Sequence, residues 1–375
     1  MDKKNIIAIL LIAVIWGGYF IFFQPGKQAK KPETVKIDKK ESKEEDKTGK
    51  DQGVSKIVPV GKNGVDKDTV VKTKKFKMTL STRGAAITGC TYLERNIDLI
   101  VKKNPYNARG ELDFSLYFDD EEFVNGSNLS NSLWQLREEG DRVIFYTDIR
   151  MDGTPVRIEK SYLFKDNGYG FTVEYSLKNN GNREIAFKNG SAIFSPGEML
   201  GPTLDYNNTY NRLMSIYSID GSFKKADKGG GGFLLGCGSS SNGEPIKKES
   251  GAVNWAGIMS RYFLLIMVPE ESAAKGVIHD NRKQAGFRTG MHIALKKLEP
   301  GKEIKKSFKV YLGEKDKKML AAVDKSIIDA ADVNMLIEPI RNFVIWSLIS
   351  INKLIGNLGW ALVIFSILTK VVFMP

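Results

Sequence analysis

Apolar residues gather at the two ends of the chain, and the long middle alternates between short apolar runs and polar turns. From Ile6 to Phe23 there are 18 residues without a charge, about the minimum that crosses a hydrocarbon core of roughly 30 Å at 1.5 Å per residue. Twelve of them are Ile, Leu, Val or Phe, each favouring the bilayer by about 0.3–0.6 kcal/mol. Residues 6–23 are therefore expected to form a transmembrane anchor helix behind a short terminus, 1–5. A cleaved secretory leader is the rival reading. It suits Lys3 and Lys4, but the run ends in bulky Tyr19, Phe20, Phe22 and Phe23 where a peptidase needs small residues. Flanking charge leaves the orientation open, because a literal positive-inside count puts the N-terminus outside, yet long domains translocate regardless of charge.

Residues 24–75 contain no Phe, Trp or Tyr and many Lys, Glu and Asp. Such a stretch buries too little apolar surface to offset its ordering entropy, so it is expected to be a disordered charged tether. From 76 to 313 the pattern becomes short strand-like runs between Gly, Asn and Asp turns, such as Phe76 to Leu80, Arg142 to Ile149, Val156 to Phe164, Gly170 to Leu177, Tyr262 to Val268 and Ile304 to Leu312. Val173, Tyr175 and Leu177 alternate with Glu174 and Ser176, as an antiparallel strand with one buried face requires. No repeated helix separates these runs, which argues against a βαβ architecture and for a large, mainly β, two-sheet sandwich.

Over 314–338 the apolar positions Leu320, Val323, Ile327 and Ala331 recur at three and four residues, which predicts a linking helix packed on the sandwich through one stripe. In 339–357, Ile340, Phe343, Val344, Leu348, Ile351, Leu354 and Ile355 fall largely on one helical face, with Arg341, Asn342, Asn352 and Lys353 elsewhere. That is the pattern of an amphipathic helix lying in a membrane interface, where Arg341, Phe343, Trp346 and Lys353 are its candidate contact residues. Residues 358–375 form a second apolar segment interrupted only by Lys370. Lys370 either snorkels to the headgroups, being five residues from Pro375, or faces a watery cavity inside the membrane.

Composition narrows the chemistry. The 375 residues carry a net charge of +12, with 42% hydrophobic residues. The stretch between Gly26 and Lys72, with thirteen lysines against nine acidic residues, contributes +4 of that charge. Mixed signs and missing aromatics there speak against a nucleic-acid arm. Two cysteines and two histidines exclude a disulfide framework or a four-cysteine zinc site. His279 and His292 have no cysteine or carboxylate at ligand spacing, so no metal centre is expected. Cys90 and Cys237 could pair in an oxidising compartment. Gly229 to Gly232 lacks the Lys-Ser/Thr of a phosphate loop, and Ser239, Ser240 and Ser241 lie outside any nucleophile elbow. No catalytic residues and no cofactor are expected.

These residues resemble a family. The anchor ending at Phe22-Phe23-Gln24-Pro25, the tether, Asn254-Trp255-Ala256-Gly257 leading to Arg261-Tyr262-Phe263, Tyr311-Leu312-Gly313-Glu314, and above all Ile355-Gly356-Asn357-Leu358-Gly359-Trp360-Ala361 through Lys370-Val371-Val372-Phe373-Met374-Pro375 look like the YidC/Oxa/Alb membrane protein insertases. The resemblance implies a bacterial inner-membrane, multi-pass protein whose first helix runs from cytoplasm to periplasm. It implies a periplasmic β-supersandwich over 76–313, and a second membrane helix that starts a five-helix core with a hydrophilic groove. Lys370 matches the groove's basic position, most often arginine, and so becomes the candidate cation for the substrate groove. Implied partners are nascent membrane proteins, Sec translocon components and membrane lipids, with no nucleic acid directly. Further helices follow this proline in the family, so the 375-residue chain is expected to hold only the first wall of the groove and not to insert proteins alone. The competing reading is a membrane-tethered carbohydrate-binding or mutarotase-like sandwich, with Glu174, His279 and His292 as its candidate acid and base.

Overall fold

The computed structural model describes residues 57–59, 64–100, 114–164, 168–198, 200–202, 213–226, 246–271, 273–280, 288–331 and 338–373. The anchor at 6–23, the N-terminal part of the expected tether, Gly229 to Gly232, Cys237 and Ser239 to Ser241 lie outside them. Contacts divide the chain into two units, one of Lys50–Asp332 and one of Met1–Gly49 with Val333–Pro375.

The larger unit is mainly β. Its strands among the described residues are β1 Ile57–Pro59, β2 Asp68–Lys72, β3 Phe76–Ser81, β4 Ala86–Tyr92, β5 Ile97–Ile100, β6 Ser115–Tyr117, β7 Gln135–Glu139, β8 Arg142–Met151, β9 Thr154–Leu163, β10 Gly170–Asn179, β11 Ser191–Gly197, β12 Met214–Ile219, β13 Ser222–Ala226, β14 Ile246–Met259, β15 Phe263–Pro269, β16 Ala274–Asp280, β17 Arg288–Ala294 and β18 Glu303–Glu314. Two short helices, α1 Asp120–Asn125 and α2 Asn128–Asn131, lie between β6 and β7. Fourteen strands form one antiparallel sheet with the path β1-β8-β9-β10-β18-β15-β14-β16-β17-β11-β6, from which β7, β12 and β13 branch, and β2-β3-β4-β5 form a second sheet.

The large sheet closes on itself like a sandwich. The ring of Tyr175 on β10 meets Phe194 on β11 at 4.9 Å although five strands separate them in the sheet. The small sheet joins the same core through Tyr92, whose ring lies 6.1 Å from Phe263, and the buried Tyr162 hydroxyl donates to Ala85 O at 2.8 Å. Each expected strand is present within two residues of its predicted ends, and the Val173, Tyr175 and Leu177 side chains are buried as their alternation requires.

The tether reading fails at its C-terminal end. β1 pairs with β8 and β2 pairs with β3 along its whole length, and Ile57 and Val71 pack against the core. The local pattern of β2, Asp-Thr-Val-Val-Lys, buries little by itself, and the backbone bonds donated and accepted by β3 decide its state.

The stripe over 314–338 behaves as expected, on a shorter helix. β18 runs through Glu314, then α3 spans Lys317–Val323 and a 3-10 helix spans Lys325–Ala331. The Asp324 carboxylate accepts from the Ser326 N–H at 2.9 Å and starts a new turn, whereas in a continuous helix that N–H would donate back to Ala322 O. Leu320 and Ile327 are fully buried against Trp255, Leu264, Ile266 and Tyr311 on the outer face of the sheet. That cover explains why β15, Phe-Leu-Leu-Ile-Met-Val, is buried on both faces and reads as a continuous apolar run. Asp316 caps α3 by accepting from the Lys318 and Met319 N–H groups at 2.8 and 3.0 Å. Asp316→Ala is expected to cost about 1 kcal/mol in equilibrium denaturation.

Candidate functional site

In the smaller unit, α4 spans Glu338–Ile355 and α5 spans Leu358–Phe373. The motif between them is a stop and a restart. Gly356 takes the left-handed conformation at φ 72°, which closes α4 while its N–H donates to Asn352 O at 2.7 Å. The Asn357 side chain then accepts from the Gly359 N–H at 2.9 Å and caps α5.

Both helices present large apolar side chains outward. Phe343 and Trp346 are 61% and 65% exposed with rings 6.3 Å apart, while Val344, Ser347, Leu348 and Ile351 are half-buried. The apolar surface of α4 is broader than the single face expected, because Ile345, Trp346 and Ile349 are exposed outside it. On α5, Leu358, Trp360, Leu362, Val363, Ile367, Leu368 and Val371 are exposed too. Apolar exposure on this scale marks a membrane or protein contact. Lys353 and Lys370 sit exposed in the last turns of α4 and α5, and Arg341 belongs to α4. Among the described residues no helix is long and apolar enough to cross a membrane. The 16 residues of α5 rise about 24 Å.

The sandwich does not assemble the acid and base of a mutarotase-like site. Glu174 leaves the outer face of β10 and accepts from Arg142 Nη1 at 2.6 Å, while β18, β15 and β14 stand between it and the histidine strands. His279 is buried, with Nδ1 2.9 Å from Ser215 Oγ and 3.1 Å from Thr289 Oγ1. Burial holds its imidazole down at about 4, so it is neutral at pH 7. His292 faces Asp120 at 3.3 Å, and burial lowers its pKa against the pull of that carboxylate. Both histidines hold the fold together as ordinary polar groups. Cys90 is buried in β4. No group of three or more metal-ligating side chains occurs among the described residues.

A polar groove of about 460 Å³ crosses the outer face of β8, β9, β10 and β18, lined by Arg142, Ser161, Glu174, Glu271, Glu303 and Lys306. Four of its charges form two pairs, Arg142 with Glu174 and Lys306 with Glu271. These partners lie 32 and 35 residues apart, which is why spacing could not reveal them.

Residues 68–337 match the family model of the YidC periplasmic domain. Among curated proteins the chain is similar to the membrane protein insertase YidC of Ralstonia nicotianae, at 23% identity over 82% of this chain and 54% of that protein. It is likewise similar to those of Chlorobium limicola, at 23% over 100% of this chain and 65% of that protein, and Leptospira interrogans, at 26% over 100% and 69%. The chain thus spans about half to two thirds of the length of these relatives. Among solved structures, a galactose mutarotase-like protein from Lactobacillus casei overlaps 66% of this chain and 100% of its own, at 11% identity and a TM-score of 0.44.

Proposed function

The chain belongs to the YidC periplasmic-domain family, and from that premise we propose that it serves a membrane protein insertase and chaperone of the bacterial inner membrane, with its strand domain in the periplasm as a β-supersandwich. The match over 68–337 carries this reading. The exposed apolar helices α4 and α5 support it, since that surface calls for a lipid or membrane-protein environment.

In this reading 6–23 and 358–375 cross the bilayer, 339–357 lies in its periplasmic interface, and Lys370 lines a hydrophilic groove completed by further helices. The work is thermodynamic and involves no catalytic group. A cation in a wet groove attracts the acidic or polar tail of a nascent membrane protein and lowers its desolvation cost, while the groove shortens the apolar path. The apolar helix of that substrate then partitions into lipid and supplies the driving force. Sec translocon components would dock on the strand domain, and crosslinking from that domain tests this.

The test is insertion of a Sec-independent substrate with a charged translocated tail, in cells depleted of their own insertase and supplied with this chain joined to the helices that complete the groove. Lys370→Ala is expected to lower insertion roughly tenfold, the effect of about 1.4 kcal/mol of lost attraction, and Lys370→Arg to keep it because the charge remains. Full insertion by the alanine variant rejects the groove role.

A further inference from the structure

The four-stranded sheet β2-β3-β4-β5 is sealed at one side and open at the other. At β5 the Gly201 N–H donates to Leu99 O at 2.7 Å, and a Cβ on Gly201 would lie 2.3 Å from Asp98 O, so the chain itself covers that edge. β2 has no second strand beside it among the described residues. The bonds that flank it fix which of its backbone groups are spare. Thr82 N–H donates to Lys67 O and Thr73 N–H donates to Phe76 O, both at 2.9 Å, and the register between β2 and β3 runs without a bulge. Hydrogen-bonded pairs alternate with non-hydrogen-bonded ones, so Thr69 and Val71 turn their backbone groups to β3 while Asp68, Val70 and Lys72 turn theirs to the open edge.

The side chains repeat that division. Thr69 and Val71 are half-buried and Val71 packs on the core, whereas Asp68, Val70 and Lys72 are exposed, Val70 to 57%. Lys72 stands directly opposite Lys77 of β3, which is exposed as well. Neither lysine makes an ion pair with a carboxylate among the described residues. Like charges directly opposite one another cost stability, and an acid on the free side of Lys72 would relieve them.

We propose that β2 pairs antiparallel with β2 of a second copy of this chain about a two-fold axis at Val70, joining the two small sheets into one of eight strands. In that register Asp68 of each copy faces Lys72 of the other and Val70 meets Val70. All three pairs are hydrogen-bonded ones, because the same residues carry the outward backbone groups. Asp68 already has a contact in its own chain, and its two carboxylate oxygens accept a second cation. A charged edge ordinarily repels a further strand, and parallel stacking would set Asp68 on Asp68 and Lys72 on Lys72. Another extended segment could take the backbone bonds but has no reason to carry the matching ends. The two-fold contact is closed, so it stops at two copies.

The full 375-residue chain is expressed in two tagged forms, both carrying Cys237→Ser, while Cys90 stays because it is buried. Membranes from these cells are oxidised with copper phenanthroline. Val70→Cys is expected to link the two tags by a disulfide, because hydrogen-bonded partners lie about 5.5 Å apart between Cα atoms. Asp68→Cys alone should give no link, since its two copies lie about 14 Å apart along the strand, whereas Asp68→Cys in one form and Lys72→Cys in the other should join. Adding Asp68→Lys to Val70→Cys is expected to lower the adduct about tenfold by facing lysine with lysine, and adding Lys72→Asp as well to restore it. Circular dichroism of the purified variants confirms the fold. No adduct at position 70, equal adducts with Asp68→Cys alone, a double swap no better than Asp68→Lys, or adducts mainly to other proteins overturns the proposal. None of these readings uses the insertion assay, so the pairing and the insertase reading fail separately.

Discussion

Trp255→Ala is expected to destabilise the strand domain by about 3–5 kcal/mol, the cost of deleting a fully buried indole where the site cannot collapse. Trp255 is 1% exposed and lies between the sheet and its helical cover, in one cluster with Ile216, Leu264, Leu320 and Ile327. The substitution also removes the hydrogen bond to Ser326 O, worth about 1 kcal/mol net. Trp255→Phe retains most of the packing and loses that bond, so its cost should stay near 1–2 kcal/mol. Chemical denaturation followed by circular dichroism measures both. Hydrogen exchange should show residues 325–331 opening first in the alanine variant, because their cover contact is the one removed. A loss below about 1 kcal/mol for alanine would mean that the cover adds little to the fold.

Acid should weaken the same domain in a window set by His279. Its imidazole titrates at about 4 in the folded protein, against 6.5 when exposed. The folded state therefore binds fewer protons between these values, and stability complete above pH 6.5 is lost as pH falls to 4. The difference corresponds to about 3 kcal/mol. His292 shifts in the same direction and adds to the loss. Glu249 continues it at lower pH. Burial alone would raise its carboxyl, but hydrogen bonds from Lys247, Tyr217 and Lys224 hold it at about 2, so its contribution disappears between 4.5 and 2. His279→Gln should flatten the curve between pH 6.5 and 4 and leave the lower limb. An unchanged profile in that variant would remove His279 as the cause.

What could be read from the chain follows from which interactions are local. Alternation along β10 set which of its faces is buried, because successive side chains on a strand must point to opposite sides. The Leu320, Val323, Ile327 and Ala331 stripe likewise announced a helical cover. Gly356-Asn357 marked the break between α4 and α5 through one left-handed residue and one capping side chain. Even Gly257, in the Asn254-Trp255-Ala256-Gly257 motif, is a local letter with a distant reason. A Cβ there would lie 2.2 Å from Leu265 O on the neighbouring strand.

Other features depend on pairings that no spacing encodes. β2 is a strand because β3 lends it backbone partners, although its own residues suit a solvated chain. Arg288 and Glu198, 90 residues apart, meet as a buried ion pair at 3.1 Å, and the candidate trio Glu174, His279 and His292 is dispersed over the sheet. By itself the sequence determined the period of each segment, the break between α4 and α5, and the apolar ends, since these depend on side chains within a few residues of one another. Only the tertiary structure decided strand order, the closing of one sheet into a sandwich, and which charges pair across strands, because those depend on contacts whose partners lie tens to hundreds of residues away.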